Sequence, residues 1–287
     1  MGDKITAFNE IKSIRIDNNR SISLNSPKIM GILNLTPDSF YDGGSYVGIN
    51  DLLKKTEVML EDGADIIDIG AVSTRPGAPY VDPEEEIHRL LEPLSKLVNE
   101  FPNAIFSIDT YRSKVAEESI KVGAHMINDI SGGTMDSNMF DVISRYKVPY
   151  FLMHIHGTPE IMQQNPISDG IVIRVRDFFT EQLRKLKEMD ISNVILDPGF
   201  GFGKTLESNY QLLRNLERVR IDNLPILAGI SRKSMINKVL NTIPETALSG
   251  TISLNTVALQ SGANILRVHD VKEAKQVVEL FNFMKKC

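Results

Sequence analysis

Eight apolar runs in this chain each stop at a side chain that can carry charge or hydrogen-bond. These ends are Asn34, Asp68, Asp109, Asn128, His154, Asp197, Ser231 with Lys233, and Arg267 with His269. Carboxylates such as Asp109 and Asp197 accept from amino and ring N–H groups, whereas a lysine such as Lys233 donates to carbonyl oxygens and ring nitrogens. Arg267 and His269 stand two residues apart, a spacing that sends both to one face of a strand. A guanidinium beside an imidazole suits a phosphate. Ser231-Arg232-Lys233-Ser234 precedes a helical pattern, and a helix start beside two cations is an anion-binding arrangement.

Asp197 opens the most telling stretch, Asp197-Pro198-Gly199-Phe200-Gly201-Phe202-Gly203-Lys204-Thr205. Pro198 cannot continue a central strand, and the glycines allow a sharp turn and close approach to a ligand. Asp-Pro-Gly is also ordinary turn chemistry, and Asp109 could equally cap the helix that follows it. The phosphate-loop pattern fails because Pro198 stands where its first glycine belongs, and the dinucleotide fingerprint fails at Leu206. His154 and His156 could share a metal on one strand face, but no third ligand lies nearby in sequence, which argues against a zinc site.

The elements that must position these groups repeat one grammar: apolar strand, polar end, loop, amphipathic helix. Strands are expected at Ile29 to Leu35, Ala64 to Gly70, Ile105 to Thr110, His125 to Ser131, Tyr150 to Ile155, Val194 to Gly199, Pro225 to Ser231 and Ile265 to Asp270. Their starts lie roughly 20 to 45 residues apart, enough for a crossover helix each time. The pattern predicts an α/β protein, a (β/α)8 TIM barrel whose site lies at the C-terminal strand ends. An open doubly wound sheet gathers its ligand at one switch point and has no reason for a polar group at every strand end.

Ile5 to Pro27 alternates apolar and polar residues around Asp17-Asn18-Asn19. It predicts a β-hairpin segment over 1–27 that plugs the bottom of a barrel spanning 28–287. One helix is expected over Asp51 to Asp62, closed at Gly63. A second is capped by Asp82 with Pro83 and Glu85 following, and buries Ile87, Leu90, Leu91, Leu94 and Val98. Its His88 falls off that stripe, and its Pro93 is expected to kink it. Helices near Asp136 to Tyr146 and Ser168 to Asp190 bury Phe140, Ile143, Phe178, Phe179, Leu183 and Leu186. The polar, glycine-rich loops at Asn34 to Gly44 and Ser73 to Pro79 are long enough to be binding loops.

With 32 basic and 37 acidic residues among 287, the net charge is −5 and neither sign forms a block. Nucleic acid and anionic membrane are thus disfavoured as partners. The one cysteine, Cys287, excludes an internal disulfide and fits a reducing cytoplasm. No apolar stretch approaches the ~18 residues of a bilayer span.

Taken together these motifs resemble dihydropteroate synthase, a pterin-using family of folate biosynthesis. The resemblance spans roughly Ile29 to the C-terminus. It rests on Gly31-Ile32-Leu33-Asn34-Leu35-Thr36-Pro37-Asp38-Ser39-Phe40, Gly63 to Gly70, Ser73-Thr74-Arg75-Pro76-Gly77, Ser107-Ile108-Asp109-Thr110, Ile127-Asn128-Asp129, Asp197-Pro198-Gly199, Ser231-Arg232-Lys233-Ser234 and Arg267-Val268-His269. It implies condensation of 6-hydroxymethyl-7,8-dihydropterin diphosphate with 4-aminobenzoate to 7,8-dihydropteroate and pyrophosphate. The resemblance places Asp109, Asn128, Asp197, Lys233 and Arg267 in the pterin pocket. It gives the diphosphate to Arg267 and His269, with Asn34 placing Mg²⁺, and assigns catalysis to Arg267, His269, Lys233 and Asp109.

By the same resemblance Phe40, Thr74, Arg75, Pro76, Phe202, Lys233 and Ser234 close around 4-aminobenzoate, with Asp42 on the first loop. It also implies a homodimer and a sulfonamide target. Ala71-Val72 stands where many relatives carry Gly-Glu, and His156 where many carry arginine or asparagine. A pterin-binding methyltransferase domain would share the barrel and the acids but has no use for the Arg267 and His269 clamp. A barrel that binds pterin or phosphate without turnover is the third reading.

Overall fold

Runs of β-branched and large apolar residues, buried on both faces, favour short parallel strands covered by helices, and the computed structural model has that architecture. It describes residues 12–35, 46–73 and 80–287. A hairpin comes first, β1 (Ser13–Arg15) paired antiparallel with β2 (Ser21–Ser23). The barrel strands follow: β3 (Lys28–Asn34), β4 (Ile66–Gly70), β5 (Phe106–Asp109), β6 (Met126–Asp129), β7 (Tyr150–Met153), β8 (Val194–Asp197), β9 (Leu227–Ala228) and β10 (Ile265–Val268). They pair in parallel in the order β8-β7-β6-β5-β4-β3-β10-β9. One parallel bridge, Leu196 to Ile226, joins the two ends, with the Leu196 N–H donating to Pro225 O at 2.8 Å.

All eight expected strands are present, most of them shorter than the sequence suggested. Asn34, Asp68, Asp109, Asn128, Asp197 and Arg267 lie within the ladder, whereas His154, Ser231 and His269 lie just past it. The largest contraction is β9, which keeps two residues, because Gly229 has no side chain to pack and the chain turns away there.

The covering helices are α1 (Tyr46–Glu61), α2 (Pro83–Glu100), α3 (Ser113–Val122), α4 (Met139–Tyr146), α5 (Ile171–Glu188), α6 (Leu206–Arg214), α7 (Ser234–Leu240), α8 (Leu248–Gln260) and α9 (Val271–Met284). α1 starts earlier than expected, and Gly63 past its end takes φ +99°. In α2, Asp82 accepts from the N–H groups of Glu84 and Glu85 at 3.0 Å, and Glu85 pairs with Arg89 one turn on. The helix continues past Pro93, which is buried beside Leu90, Leu94 and Leu97, while Ile87, Leu91 and Val98 are half-buried at the margin. His88 is exposed.

Inside the barrel, Met30, Ile66, Met126, Phe151, Ile195, Leu227 and Ile265 form one apolar layer near the strand starts. Ile14, Ile16 and Ile22 of the hairpin pack on the same layer, so the described part of the segment covers the barrel floor; residues 1–11 of the expected segment lie outside the described residues. Asp17 organises the turn by accepting from the N–H groups of Asn19 and Arg20 at 2.8 and 2.9 Å. Those bonds and the Arg20 guanidinium hold its carboxyl down at about 2. Because Ile14 is 1% exposed within this shared layer, Ile14→Ala is expected to lower the unfolding free energy by about 2 to 4 kcal/mol. Urea denaturation followed by circular dichroism checks this. A single shifted transition is expected, and a negligible shift or a separate hairpin transition would show the segment to be independent of the barrel.

Candidate active site

Strand side chains alternate with a period of two, so the positions two residues beyond the apolar layer point into the same interior. There the composition changes: Asp68, Ser107, Asn128, Asp197 and Arg267 follow Ile66, Ile105, Met126, Ile195 and Ile265. One more step reaches Asn34, Gly70, Asp109 and His269 at the mouth. An apolar floor thus carries a polar layer.

Arg267 ties this layer together. Its Nε donates to Asp68 Oδ2 at 2.7 Å and its Nη2 to Asp109 Oδ2 at 2.6 Å, while Asn128 Nδ2 donates to Asp68 Oδ2 at 2.9 Å. Asp68 is wholly buried. Two carboxylates share one guanidinium, so burial pushes Asp109 up to about 7, with Arg267 opposing and Asp68 reinforcing. Burial weighs against the Arg267 charge, yet Asp68 and Asp109 hold it above the usual arginine range. The second carboxylate oxygens of Asp68 and Asp109, the amide oxygen of Asn128 and Ser107 Oγ are buried without a hydrogen-bond partner among the described residues. Unpaired buried acceptors are costly. Clustered in one cavity floor, they suit a ligand that brings donors.

Asp197 enters from the opposite side. Its Oδ1 accepts the Gly199 N–H at 2.7 Å, and burial pushes its carboxyl up against the pull of Lys233. Gly199 has φ +66°, and a Cβ there would lie 2.0 Å from the His154 carbonyl oxygen, so this turn admits only glycine. Lys204 is 4% exposed and donates to the carbonyls of Gly199, Phe202 and His154 at 2.7, 3.0 and 3.2 Å. It fastens the loop from within and is turned away from any phosphate.

Lys233 reaches over the same loop, donating to Phe200 O at 2.6 Å and standing 4.7 Å from the Phe202 ring centre. Burial pulls its amine down to about 8, with Asp197 opposing. Gly229 lies between the two cationic side chains: a Cβ there would make ordinary contacts with Arg267 Cβ at 3.8 Å and Lys233 Nζ at 3.9 Å.

Two sequence expectations are corrected. Arg232 does not face the site: at φ +57° its side chain turns onto Asp270, at 2.9 and 2.6 Å, and onto Pro244 O. Of the two cations before α7, only Lys233 points inward. His154 turns away too, buried edge-on to Phe178 of α5 with ring centres 5.1 Å apart, and burial holds it neutral. His156 is exposed.

Asp109 caps nothing, because the Ser113 N–H at the start of α3 is taken by Asp136 at 2.7 Å. Asn34 and His269 are exposed at the mouth, and Ser234 is exposed at the start of α7. Phe40, Asp42, Thr74, Arg75 and Pro76 lie outside the described residues. The sequence marks Asp68 as a polar strand end and assigns it no role. Its signal was the phase it shares with Ile66, which fixes it inward.

The family described as "Pterin binding enzyme" matches residues 30–269. The dihydropteroate synthase of Escherichia coli K12 is 44% identical over 264 residues, covering 90% of this chain and 93% of that one. Among solved structures, Yersinia pestis dihydropteroate synthase with a sulfonamide drug superposes with a TM-score of 0.89 at 37% identity, covering 96% of this chain and 100% of that one. Xanthomonas albilineans dihydropteroate synthase with 4-aminobenzoic acid gives 0.86 at 35% identity, covering 96% and 99%. The family match runs from β3 through β10, including the floor of buried acids under two inward cations, and the chain belongs to the pterin-binding enzyme family.

Proposed function

We infer that this chain is a dihydropteroate synthase, joining 6-hydroxymethyl-7,8-dihydropterin diphosphate to 4-aminobenzoate with release of pyrophosphate. The observation that carries the reading is the set of unmatched acceptors on Asp68, Asp109 and Asn128 facing the donor Lys233. A pterin edge brings amino and ring N–H donors to the former and offers a carbonyl and ring nitrogen to the latter. Asp197 completes the acid side of the pocket. Such hydrogen-bonded pockets can reject analogues lacking the groups by on the order of 10⁴-fold.

With the ring held by the floor, its diphosphate projects toward the mouth, where His269 stands beyond Arg267 on β10. As the C–O bond breaks, negative charge builds on the leaving oxygens, and fixed cations there lower the barrier. The amine nitrogen of 4-aminobenzoate bonds to the freed methylene carbon, its proton passes to solvent, and pyrophosphate departs. Phe202 and Ser234 border the side from which the amine arrives, with Phe40, Thr74, Arg75 and Pro76 assigned to the same subsite. Sulfonamides compete for that subsite.

A magnesium ion fits this mouth. A Cβ on Gly70 would lie 3.6 Å from Asn34 Oδ1 and 3.8 Å from Asp109 Oδ2, so these oxygens flank one space. Among the described residues no group of three His, Cys, Asp or Glu is arranged for a metal. Sparse protein ligation suits Mg²⁺, which keeps waters and takes phosphate oxygens. When bound, it neutralises charge on the diphosphate.

No described helix is long and apolar enough to cross a membrane, and a cytoplasmic setting is proposed. A homodimer is proposed as well. Leu280, Phe283 and Met284 on α9 and Val257 on α8 are exposed, and α8 and α9 pack side by side, leaving an apolar face that a second copy would cover.

Pyrophosphate is expected when both substrates are mixed with the protein and absent when either is left out; a silent assay would sink the reading. Arg267 also neutralises the floor, so His269 isolates the diphosphate role. His269→Ala should lower turnover by about tenfold or more, the worth of one charge-assisted hydrogen bond. Calorimetry should find its affinity for unphosphorylated pterin unchanged, and equal losses would contradict the assignment.

Lys233 carries its charge below about 8, and the pterin acceptors favour the charged form. On this account pterin affinity should fall as pH rises through about 8 and the Lys233 charge is lost. Lys233→Met should remove this step, the ligand's own titration being common to both proteins. Sedimentation should give a dimer for the wild type and a monomer for Phe283→Glu; an unchanged dimer would move the interface elsewhere.

A further inference from the structure

Binding an anion through a neutral imidazole requires the proton on the nitrogen that faces it, so something must choose the tautomer of His269. Its Nδ1 lies 3.0 Å from Ser231 Oγ, and its own backbone N–H donates to that same oxygen at 3.2 Å. A hydroxyl has one proton to give and two lone pairs. The backbone donor occupies one lone pair, and Nδ1 is the one acceptor within hydrogen-bond reach of this buried hydroxyl among the described residues, so the Ser231 proton goes to Nδ1. An imidazole accepting at Nδ1 carries its proton on Nε2.

We propose that Ser231 is a positioning residue for the reaction: its hydroxyl holds the neutral His269 imidazole as the Nε2–H tautomer, so that Nε2–H is the donor offered to the diphosphate. This rests on the reading of His269 as a diphosphate ligand. The surroundings suit a fixed device rather than a chance contact. Ser231 is 4% exposed, and the next residue along each loop makes a second link, Arg232 to Asp270 at 2.9 and 2.6 Å. The loops after β9 and β10 are thus clasped by two successive pairs in step, and deleting the Ser231 hydroxyl leaves the Arg232–Asp270 link to keep them joined. Arg232 is occupied by this link and does not compete for the diphosphate. A serine at this place does what a carboxylate or carbonyl does behind many functional histidines, orienting the ring from its far nitrogen, but in the opposite sense, because it donates.

The test is ¹⁵N NMR of the full chain labelled at histidine, under conditions where the imidazole is neutral, with His269→Gln assigning the signal. The wild type should show an unprotonated Nδ1 and a protonated Nε2. Ser231→Ala should give a mixture of tautomers, and Ser231→Thr, which keeps the hydroxyl, should restore one. In steady-state assays Ser231→Ala should raise KM for the pterin diphosphate by about tenfold, the worth of one hydrogen bond, with affinity for unphosphorylated pterin within twofold of wild type by ~0.4 kcal/mol. A protonated Nδ1 in the wild type, or a tautomer ratio indifferent to Ser231→Ala, would overturn the proposal. A shifted ratio with an unchanged KM would overturn its functional half. If His269→Ala itself leaves that KM unchanged, the diphosphate reading fails instead, and the two failures are distinct.

Discussion

Everything in the mouth of this barrel is arranged around one guanidinium shared by two buried carboxylates. Arg267 bridges Asp68 and Asp109, and without that charge two acids could not sit close together at the end of a hydrophobic barrel. Removing one partner of such a cluster leaves an uncompensated buried charge. The bridge also uses only one oxygen of each acid. The remaining oxygens, with that of Asn128, have no hydrogen-bond partner among the described residues, which is what favours the proposed pterin as their ligand. In the proposed reading stability and recognition rest on the same atoms, since the guanidinium holds in place the acids whose second oxygens would accept from the ligand.

Two lysines show how placement decides role. Lys204 and Lys233 both approach the loop after β8, and both donate to its carbonyls. Lys204 is enclosed by three carbonyl oxygens with burial pulling its amine well below the usual range, so it acts as an internal strut. Lys233 keeps one carbonyl and the Phe202 face, and retains donors for something else. Gly199 makes the arrangement possible, because only a residue without a Cβ lets the loop lie against the His154 carbonyl.

Much of this was legible in the sequence. Apolar runs of strand length, spaced for crossover helices, specify the barrel with little ambiguity, and period-two alternation places Asp109, Asn128, Asp197 and Arg267 in one interior. What escaped depends on orientation at the points where that alternation ends. His154 lies past the last ladder residue of β7, where the phase sends it under Phe178. Arg232 adopts a left-handed backbone and finds a carboxylate from a loop 38 residues away, a pairing no local pattern announces. Pro198 already set the Lys204 loop apart from a phosphate loop, and the structure adds what the sequence could not show, the three carbonyls that enclose the amine.

The least firmly sewn line of the barrel runs between β8 and β9, where a single bridge joins Leu196 to Ile226. Asp197 stands on one bank of that line and Lys233, just past β9, on the other. A molecule gripped by both stitches the cylinder where its own backbone does so least. A ligand that favours the closed form stabilises it by mass action, so occupancy of the mouth and resistance of the whole ring to unzipping rise together.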